Sequence, residues 1–130
     1  MNIYKSFIQI AAILGALSVA LGAFAAHGLK EKVTANALQI FETGVRYQFY
    51  HVFALALTGI VFYYGNTQLM KLSGIFFIVG IILFSGSLYL LTYAVNANNA
   101  ALMKLGIITP FGGLCFIAGW VLLAFALAKK

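Results

Sequence analysis

The fold is decided by the stretch LSGIFFIVGIILFSGSLYLLTYA, which runs from Leu72 to Ala94 without a charged residue. A helix needs about 20 apolar residues to cross the hydrocarbon core of a bilayer, so this stretch is long enough to span one. Three further apolar runs of similar length cover Phe7–Ala26, Gly44–Tyr64 and Leu105–Ala128. We therefore predict four membrane-spanning helices, over the approximate ranges 5–27, 44–64, 70–94 and 104–128.

The amino-acid composition excludes a water-soluble protein. Of the 130 residues, 64% are hydrophobic and only 8% are charged, whereas roughly a quarter of the residues are charged in an ordinary soluble domain. Such a chain cannot cover a surface that faces water. A soluble enzyme and a disordered segment are both excluded, and we expect one integral membrane domain over residues 1–130.

The connections between the apolar runs indicate how the spans are arranged. Gly65–Thr67 separate the second run from the third, and Asn96–Asn99 separate the third from the fourth. Because helices joined by short loops are antiparallel neighbours, the expected fold class is all-α, an up-down-up-down four-helix transmembrane bundle. The longer first connection offers Thr34 or Asn36 as a helix cap. It predicts a helix over 34–43 that lies on the membrane surface or continues into the second span.

The net charge of +6 comes mainly from lysines at or near the ends of the apolar runs. Lysines at these positions contact lipid headgroups, so we expect membrane lipids as partners and no nucleic acid. Cationic residues also set orientation in the membrane. One side would hold Lys5, Lys71, Lys129 and Lys130, and the other Lys30, Lys32, Lys104 and, if it lies outside the span, Arg46. We expect a multi-pass protein of the cell (inner) membrane. If Arg46 is counted inside the second span, the side that holds the termini carries more cationic residues than the other side, which favours a cytoplasmic position for both termini.

Small residues recur at helical spacing in three of the four spans. They are Ala11, Gly15, Ser18, Gly22 and Ala26 in the first, Ser73, Gly80, Ser87 and Ala94 in the third, and Gly112, Gly119 and Ala126 in the fourth. Small residues on one face let membrane helices approach closely. We expect them either to pack the bundle or to bind a second copy of the chain or another membrane protein.

Polar residues open the second span. At 100° per residue, one helix face carries Gly44, Tyr47, Gln48, His51, Leu55 and Thr58. We predict that Tyr47, Gln48 and His51 point into the bundle, where His27 at the end of the first span could approach them. Two histidines and a glutamine could bind a ligand or relay a proton. Alternatively, these side chains simply form hydrogen bonds between helices.

A charged pair lies on nearly the opposite face of the same span. Glu42 precedes Arg46 by four residues, which is the favourable order for an ion pair on a helix. We predict an ion pair at the membrane interface, where the long arginine side chain can reach the headgroups.

The third and fourth spans add further polar residues. Ser85, Tyr89 and Thr92 form a stripe on the third span, and Thr109 precedes Pro110 in the fourth. Ser85, Tyr89 and Thr109 join the candidate polar cluster, although hydroxyls in membrane helices often bond only to their own backbone. The lone Cys115 leaves no disulfide framework, and the histidines lack a third ligand on the same face. We expect no metal and no cofactor.

Four ordered strings of the sequence resemble a known family. They are Gly22-Ala-Phe-Ala-Ala-His27-Gly-Leu29, Thr43-Gly-Val-Arg-Tyr-Gln-Phe-Tyr-His51, Leu83-Phe-Ser-Gly-Ser-Leu-Tyr-Leu90 and Ile108-Thr-Pro-Phe-Gly-Gly113. The chain is similar over almost its whole length to the YgdD/YwdK family of small multi-pass membrane proteins, a domain-of-unknown-function family. The resemblance implies a bacterial-type inner-membrane protein with four spans and supplies no settled activity.

These observations favour a non-enzymatic membrane protein that binds a lipid or a partner helix. The alternative is a small transporter or proton-coupled channel that uses the polar face around His51. Against that alternative, the spans carry no buried acid, a residue that proton relays commonly use. We expect no enzyme, because no nucleophile and base lie at usable spacing and no phosphate-binding glycine loop is present.

Overall fold

A computed structural model describes residues 2–129, and every regular element in that range is a helix. Four of the helices are long and apolar enough to cross a membrane: α1 (Lys5–Leu29), α2 (Ala35–Tyr64), α3 (Thr67–Asn96) and α4 (Ala100–Ala128). The prediction of an all-α protein with four spans is therefore confirmed.

Side-chain caps begin three of the four helices. The Thr34 hydroxyl accepts a hydrogen bond from the Ala37 amide, Asn66 caps α3 in the same way, and Asn99 caps α4. Such caps satisfy amide groups that the first turn of a helix leaves without partners. Because α2 runs from its cap at Thr34 into the second span, segment 34–43 continues that span and is not a separate surface helix.

The helices pack mainly on their neighbours in the chain. α1 packs on α2, α2 on α3, and α3 on α4 along most of its length. The centre of the core holds Leu55, Met70 and Phe77, which are completely buried. Helix α1 therefore lies at the edge of the bundle and exposes much of its surface to lipid.

Glycines make the close contacts between the helices. A Cβ added at Gly80 would meet the Phe116 ring, and one at Gly119 would meet the Phe77 ring. A Cβ added at Gly112 would meet the backbone nitrogen of Phe84. On the other side of the bundle, Cβ atoms at Gly15 and Gly22 would lie 3.5 and 3.6 Å from Val52 and Val45.

Two helices contain a π-helical turn, Ala25–Leu29 in α1 and Ile81–Ser85 in α3. A π turn inserts an extra residue and is frequent at functional sites. In α4, the 3-10 turn Lys104–Ile107 comes just before Pro110. The π turn of α3 packs on the regular part of α4, where Gly112 contacts Phe84, beside the polar residues described below.

Backbone hydrogen bonds define the two ends of the bundle. At the end we call the terminal side, the Tyr4 amide donates to the Gly59 carbonyl (2.8 Å), and the Asn66 amide donates to the Ala126 carbonyl (2.9 Å). At the opposite end, the loop side, the Thr34 amide donates to the Asn96 side-chain oxygen (3.1 Å). Tyr4 and Ala126, near the two ends of the described range, therefore lie on the same side of the bundle.

Candidate functional site

Gln48 connects three helices from the middle of α2. Its amide nitrogen donates to the Leu14 carbonyl of α1 at 3.2 Å, and its amide oxygen accepts a hydrogen bond from the Tyr89 hydroxyl of α3 at 2.6 Å. Gln48 is almost fully buried. Its polar groups are satisfied by protein, as they must be where no water is available.

His51 lies one turn further along α2 and connects it to α4. Its Nδ1 lies 2.7 Å from the Tyr47 carbonyl, and its Nε2 accepts a hydrogen bond from the Trp120 indole at 3.2 Å. A carbonyl can only accept and an indole N–H can only donate. The hydrogen of the neutral imidazole is therefore on Nδ1. The ring also stacks on Phe116, with centroids 3.4 Å apart.

Hydroxyl groups add hydrogen bonds between α2 and α3 and between α3 and α4. Ser85 donates to the Gly44 carbonyl of α2 at 2.7 Å, and Ser73 donates to the Gly119 carbonyl of α4 at 2.7 Å. The Ser87 and Thr109 hydroxyls lie 2.6 Å apart between α3 and α4. Ser18 bonds only to the Leu14 carbonyl of its own helix.

We call Gln48, His51, Ser85, Tyr89 and Trp120 the polar cluster. Among the described residues, every buried side-chain nitrogen or oxygen has a hydrogen-bond partner. Within the same part of the chain, no group of three metal-binding side chains comes together. Chemically, the polar cluster fixes the relative positions of four helices, and its donors and acceptors are already engaged.

The prediction that Tyr47 points into the bundle is wrong in part. Gln48 and His51 are buried, but Tyr47 is 37% exposed and lies against Phe84 with ring centroids 4.7 Å apart. The six residues expected on one face cover a broad arc, and Tyr47 is at the edge of that arc. Packing against α3 and α4 fills the centre and leaves the tyrosine at the lipid-facing rim.

The prediction that His27 approaches His51 is also wrong. His27 is exposed in the π turn of α1. Gly15 lies beside Val52 and Gly22 beside Val45, so His51 is level with residue 16 of α1. At 1.5 Å of rise per residue, His27 lies about 16 Å further along the helix.

Glu42 and Arg46 are exposed on α2, one turn apart. No salt bridge joins them within the described residues, because two exposed, long side chains gain little from holding a single geometry. The predicted ion pair stays a prediction. Both charged groups face outward beside α1, away from the polar cluster.

A groove lies between α1 and α2 on the lipid-facing surface. Its volume is about 340 Å³, and nearly all of its lining is apolar. We call it the outer groove, and it is lined by Ile8, Ala11, Ala12, Gly15, Val19, Phe49, Val52, Phe53 and Ala56. Ala11 of α1 and Val52 of α2 are buried members of the lining, whereas Phe53 of α2 is 68% exposed.

Sequence reasoning missed Trp120 as a member of the polar cluster. Tryptophan in membrane proteins is usually enriched at the interfaces, whereas Trp120 lies well inside the fourth apolar run. Trp120 is 45% exposed, and its indole N–H still needs a hydrogen-bond partner inside the membrane, where no water is available. That requirement, combined with the polar face around His51, is the signal that could have found the pair.

A family model described as "Protein of unknown function (DUF423)" matches residues 21–113. The chain belongs to the DUF423 family. The matched part of the DUF423 chain contains the polar cluster except Trp120, and it contains both Glu42 and Arg46.

Relatives extend the match to almost the whole chain. The UPF0382 membrane protein YwdK of Bacillus subtilis is 41% identical over 133 residues, which cover 96% of this chain and 98% of the relative. A UPF0382 membrane protein of Haemophilus influenzae is 39% identical, with 97% and 96% covered. One of Staphylococcus aureus is also 39% identical, with 96% and 97% covered. No solved structure matches the chain.

The comparisons confirm the resemblance to the YgdD/YwdK family. They also show that this DUF423 protein is an integral membrane protein whose family has no assigned activity. The names of the relatives state a location in membranes and nothing about a substrate or partner.

Proposed function

We propose that this protein is a non-enzymatic, lipid-binding protein of the cell membrane, and that the lipid lies in the outer groove. The observation that carries the proposal is the groove itself, an apolar depression of about 340 Å³ between two membrane-spanning helices. A depression at this depth in a bilayer is filled by lipid chains or by another helix. The short side chains of Ala11, Ala12 and Gly15 leave this depression open to an acyl chain.

The polar cluster supports a structural role for the residues that otherwise suggest chemistry. Both ring nitrogens of His51 are engaged, by Tyr47 and Trp120. A proton relay would require one of these bonds to break at every step. We therefore do not propose the transporter alternative. We assign Gln48 to holding α1 on α2, the two helices that form the groove, and His51 to holding α2 on α4.

We also propose that both termini face the cytoplasm. The terminal side carries Lys5, Lys71 and the two final lysines, Lys129 and Lys130, whereas the loop side carries Lys30, Lys32 and Lys104. Arg46 lies eleven residues beyond the first residue of α2, whereas Lys5, Lys71 and Lys104 lie within four residues of the start of their helices. The count therefore treats Arg46 as part of the span, although its long side chain can still reach the headgroups. The excess of cationic residues on the terminal side favours a cytoplasmic position for that side.

Native mass spectrometry of the protein extracted gently with its membrane lipids tests the proposed function. We expect a retained phospholipid on the wild type and its loss in Ala12→Phe, because a phenyl ring fills the groove. Ala20→Phe is the matched control, since Ala20 is exposed on the same helix but does not line the groove. Equal retention by all three proteins, or retention by none, contradicts the proposal.

A further inference from the structure

We propose that the outer groove binds a phospholipid with an ethanolamine headgroup from the loop-side leaflet. The inference rests on the proposed function and names the class of lipid. It comes from two charged residues of α2, Arg46 and Glu42, which lie between the groove and the loop side.

The charges follow the groove in a fixed order. Phe49 and Phe53 line the groove on α2, and Arg46 lies three residues nearer the loop side than Phe49. Glu42 lies four residues further out. At 1.5 Å of rise per residue, these steps are about 4.5 and 6 Å along the helix axis. From the membrane interior outward, the surface is therefore apolar, then cationic, then anionic.

The three residues on α2 also share one side of the helix. At 100° per residue, Arg46, Glu42 and Phe53 fall within about 40° of one another. On α1, Ala23 and Ala26 fall within about 40° of Ala12 on the helix, and both are exposed. These short side chains leave room for a headgroup between the helices, as Ala12 and Gly15 leave room for a chain below.

A phospholipid with an amine in its headgroup carries the complementary groups in the same order. Its acyl chains lie deepest, its phosphate is next, and its ammonium is outermost. Arginine binds phosphate through a fork of N–H donors, and the Glu42 carboxylate can accept N–H bonds from a primary ammonium. The side chains are exposed and not joined to each other by a salt bridge in the described range, so both can contact the lipid.

Other headgroups fit this arrangement less well. A glycerol headgroup has no cation to place beside Glu42. A choline headgroup has a quaternary nitrogen with no N–H to donate to the carboxylate. A serine headgroup adds a second carboxylate beside the first. Only the ethanolamine headgroup among these satisfies Arg46 and Glu42 together.

The test is a competition between headgroups on the full-length protein. Protein freed of lipid in mild detergent receives equal amounts of dioleoyl phosphatidylethanolamine and dioleoyl phosphatidylglycerol, and native mass spectrometry reads the ratio bound. We expect one bound lipid with a preference of about tenfold for ethanolamine, since hydrogen bonds between charged groups contribute on this scale. Glu42→Gln is expected to remove the preference and keep the total bound lipid. Arg46→Gln is expected to lower binding of both lipids by about tenfold.

Glu31→Gln is the matched control, because Glu31 is the other acid of the chain and is exposed in the first connection. It should bind like the wild type. If the wild type binds both lipids equally, or if Glu42→Gln keeps the preference, the headgroup inference is wrong and the groove proposal stands. If Ala12→Phe binds as much lipid as the wild type, the groove proposal itself fails. A dimer that binds no lipid would assign the groove to a second copy of the chain and overturn both proposals.

Discussion

At the scale of the single residue, His51 is the clearest case of a polar side chain that holds the bundle together. Its ring joins α2 to α4 through the Trp120 indole and stacks on Phe116. Replacing His51 by leucine leaves the indole N–H without its partner inside the membrane. We expect the variant to unfold at a lower temperature in detergent, because hydrogen bonds between membrane helices contribute about 0.6 to 2 kcal/mol.

A double-mutant cycle with Trp120→Phe separates this bond from the general effect of changing ring size. We expect the two substitutions together to cost less than the sum of the single losses, by about 1 kcal/mol. Strictly additive losses of unfolding free energy would show that the two side chains do not interact.

Gln48 and His51 of the polar cluster could be predicted from the sequence, because their spacing matches the period of a helix. Gln48 and His51 lie three residues apart in an apolar run, so one helix face must carry both, and burial of that face follows. Trp120 could not be predicted, because its contact with His51 depends on the rotation of α4 about its own axis. Helix packing sets that rotation, through contacts such as Gly119 against Phe77.

At the scale of the helix, Gly112 sets the distance between α3 and α4. A Cβ at this position would meet the backbone nitrogen of Phe84, which cannot move without moving the π turn. We expect Gly112→Ala to lower the free energy of unfolding by about 1 to 3 kcal/mol, the usual cost of overpacking. Thermal unfolding in detergent measures this.

Gly113 offers a control one residue away on the same helix. Its added Cβ would lie 3.9 Å from the Phe84 ring, an ordinary contact. Alanine also favours helix over glycine by about 1 kcal/mol. Gly113→Ala should therefore unfold at the same temperature as the wild type or higher. If both variants lost a similar amount of unfolding free energy, the loss would come from any substitution at this turn and not from the close approach of α3.

Spacing reveals why the small residues of α3 and α4 were visible in the sequence. Ser73, Gly80 and Ser87 recur every seven residues, as do Gly112 and Gly119, and a seven-residue repeat keeps one side of a helix toward its neighbour. All five are buried. The π turns carry no comparable pattern, because they arise where two packed helices stay in register only if one of them gains a residue.

The connection between α2 and α3 is held against the end of α4 by a backbone hydrogen bond. The Asn66 amide donates to the Ala126 carbonyl, and a Cβ at Gly65 would meet the same carbonyl oxygen. We expect Gly65→Ala to push the connection away and free the last turn of α4. Amide hydrogen exchange should then rise near Ala126, while Gly106→Ala, whose added Cβ would lie 3.6 Å from Leu91, should leave it unchanged. Unchanged exchange in Gly65→Ala would show that the connection is not needed to hold the helix end.

At the scale of the whole molecule, four spans could be predicted because length and hydropathy alone determine them. A run of about 20 apolar residues has few alternatives to a membrane helix. The position of α1 at the edge of the bundle could not be predicted, since its small-residue face is the same whether it packs on one helix or on three. That edge position creates the outer groove.

The even number of spans places both termini on one side, and orientation then becomes a single yes-or-no measurement. We expect Asn98→Cys, in a Cys115→Ala background, to react with a membrane-impermeant thiol reagent added to intact cells, because the loop side faces outward. Asn2→Cys in the same background should react only after the membrane is broken. The reverse pattern would place the termini outside, with Lys129 and Lys130 contradicting the positive-inside rule. It would also move the lipid that Arg46 and Glu42 contact to the cytoplasmic leaflet, because both residues lie in the loop-side half of α2.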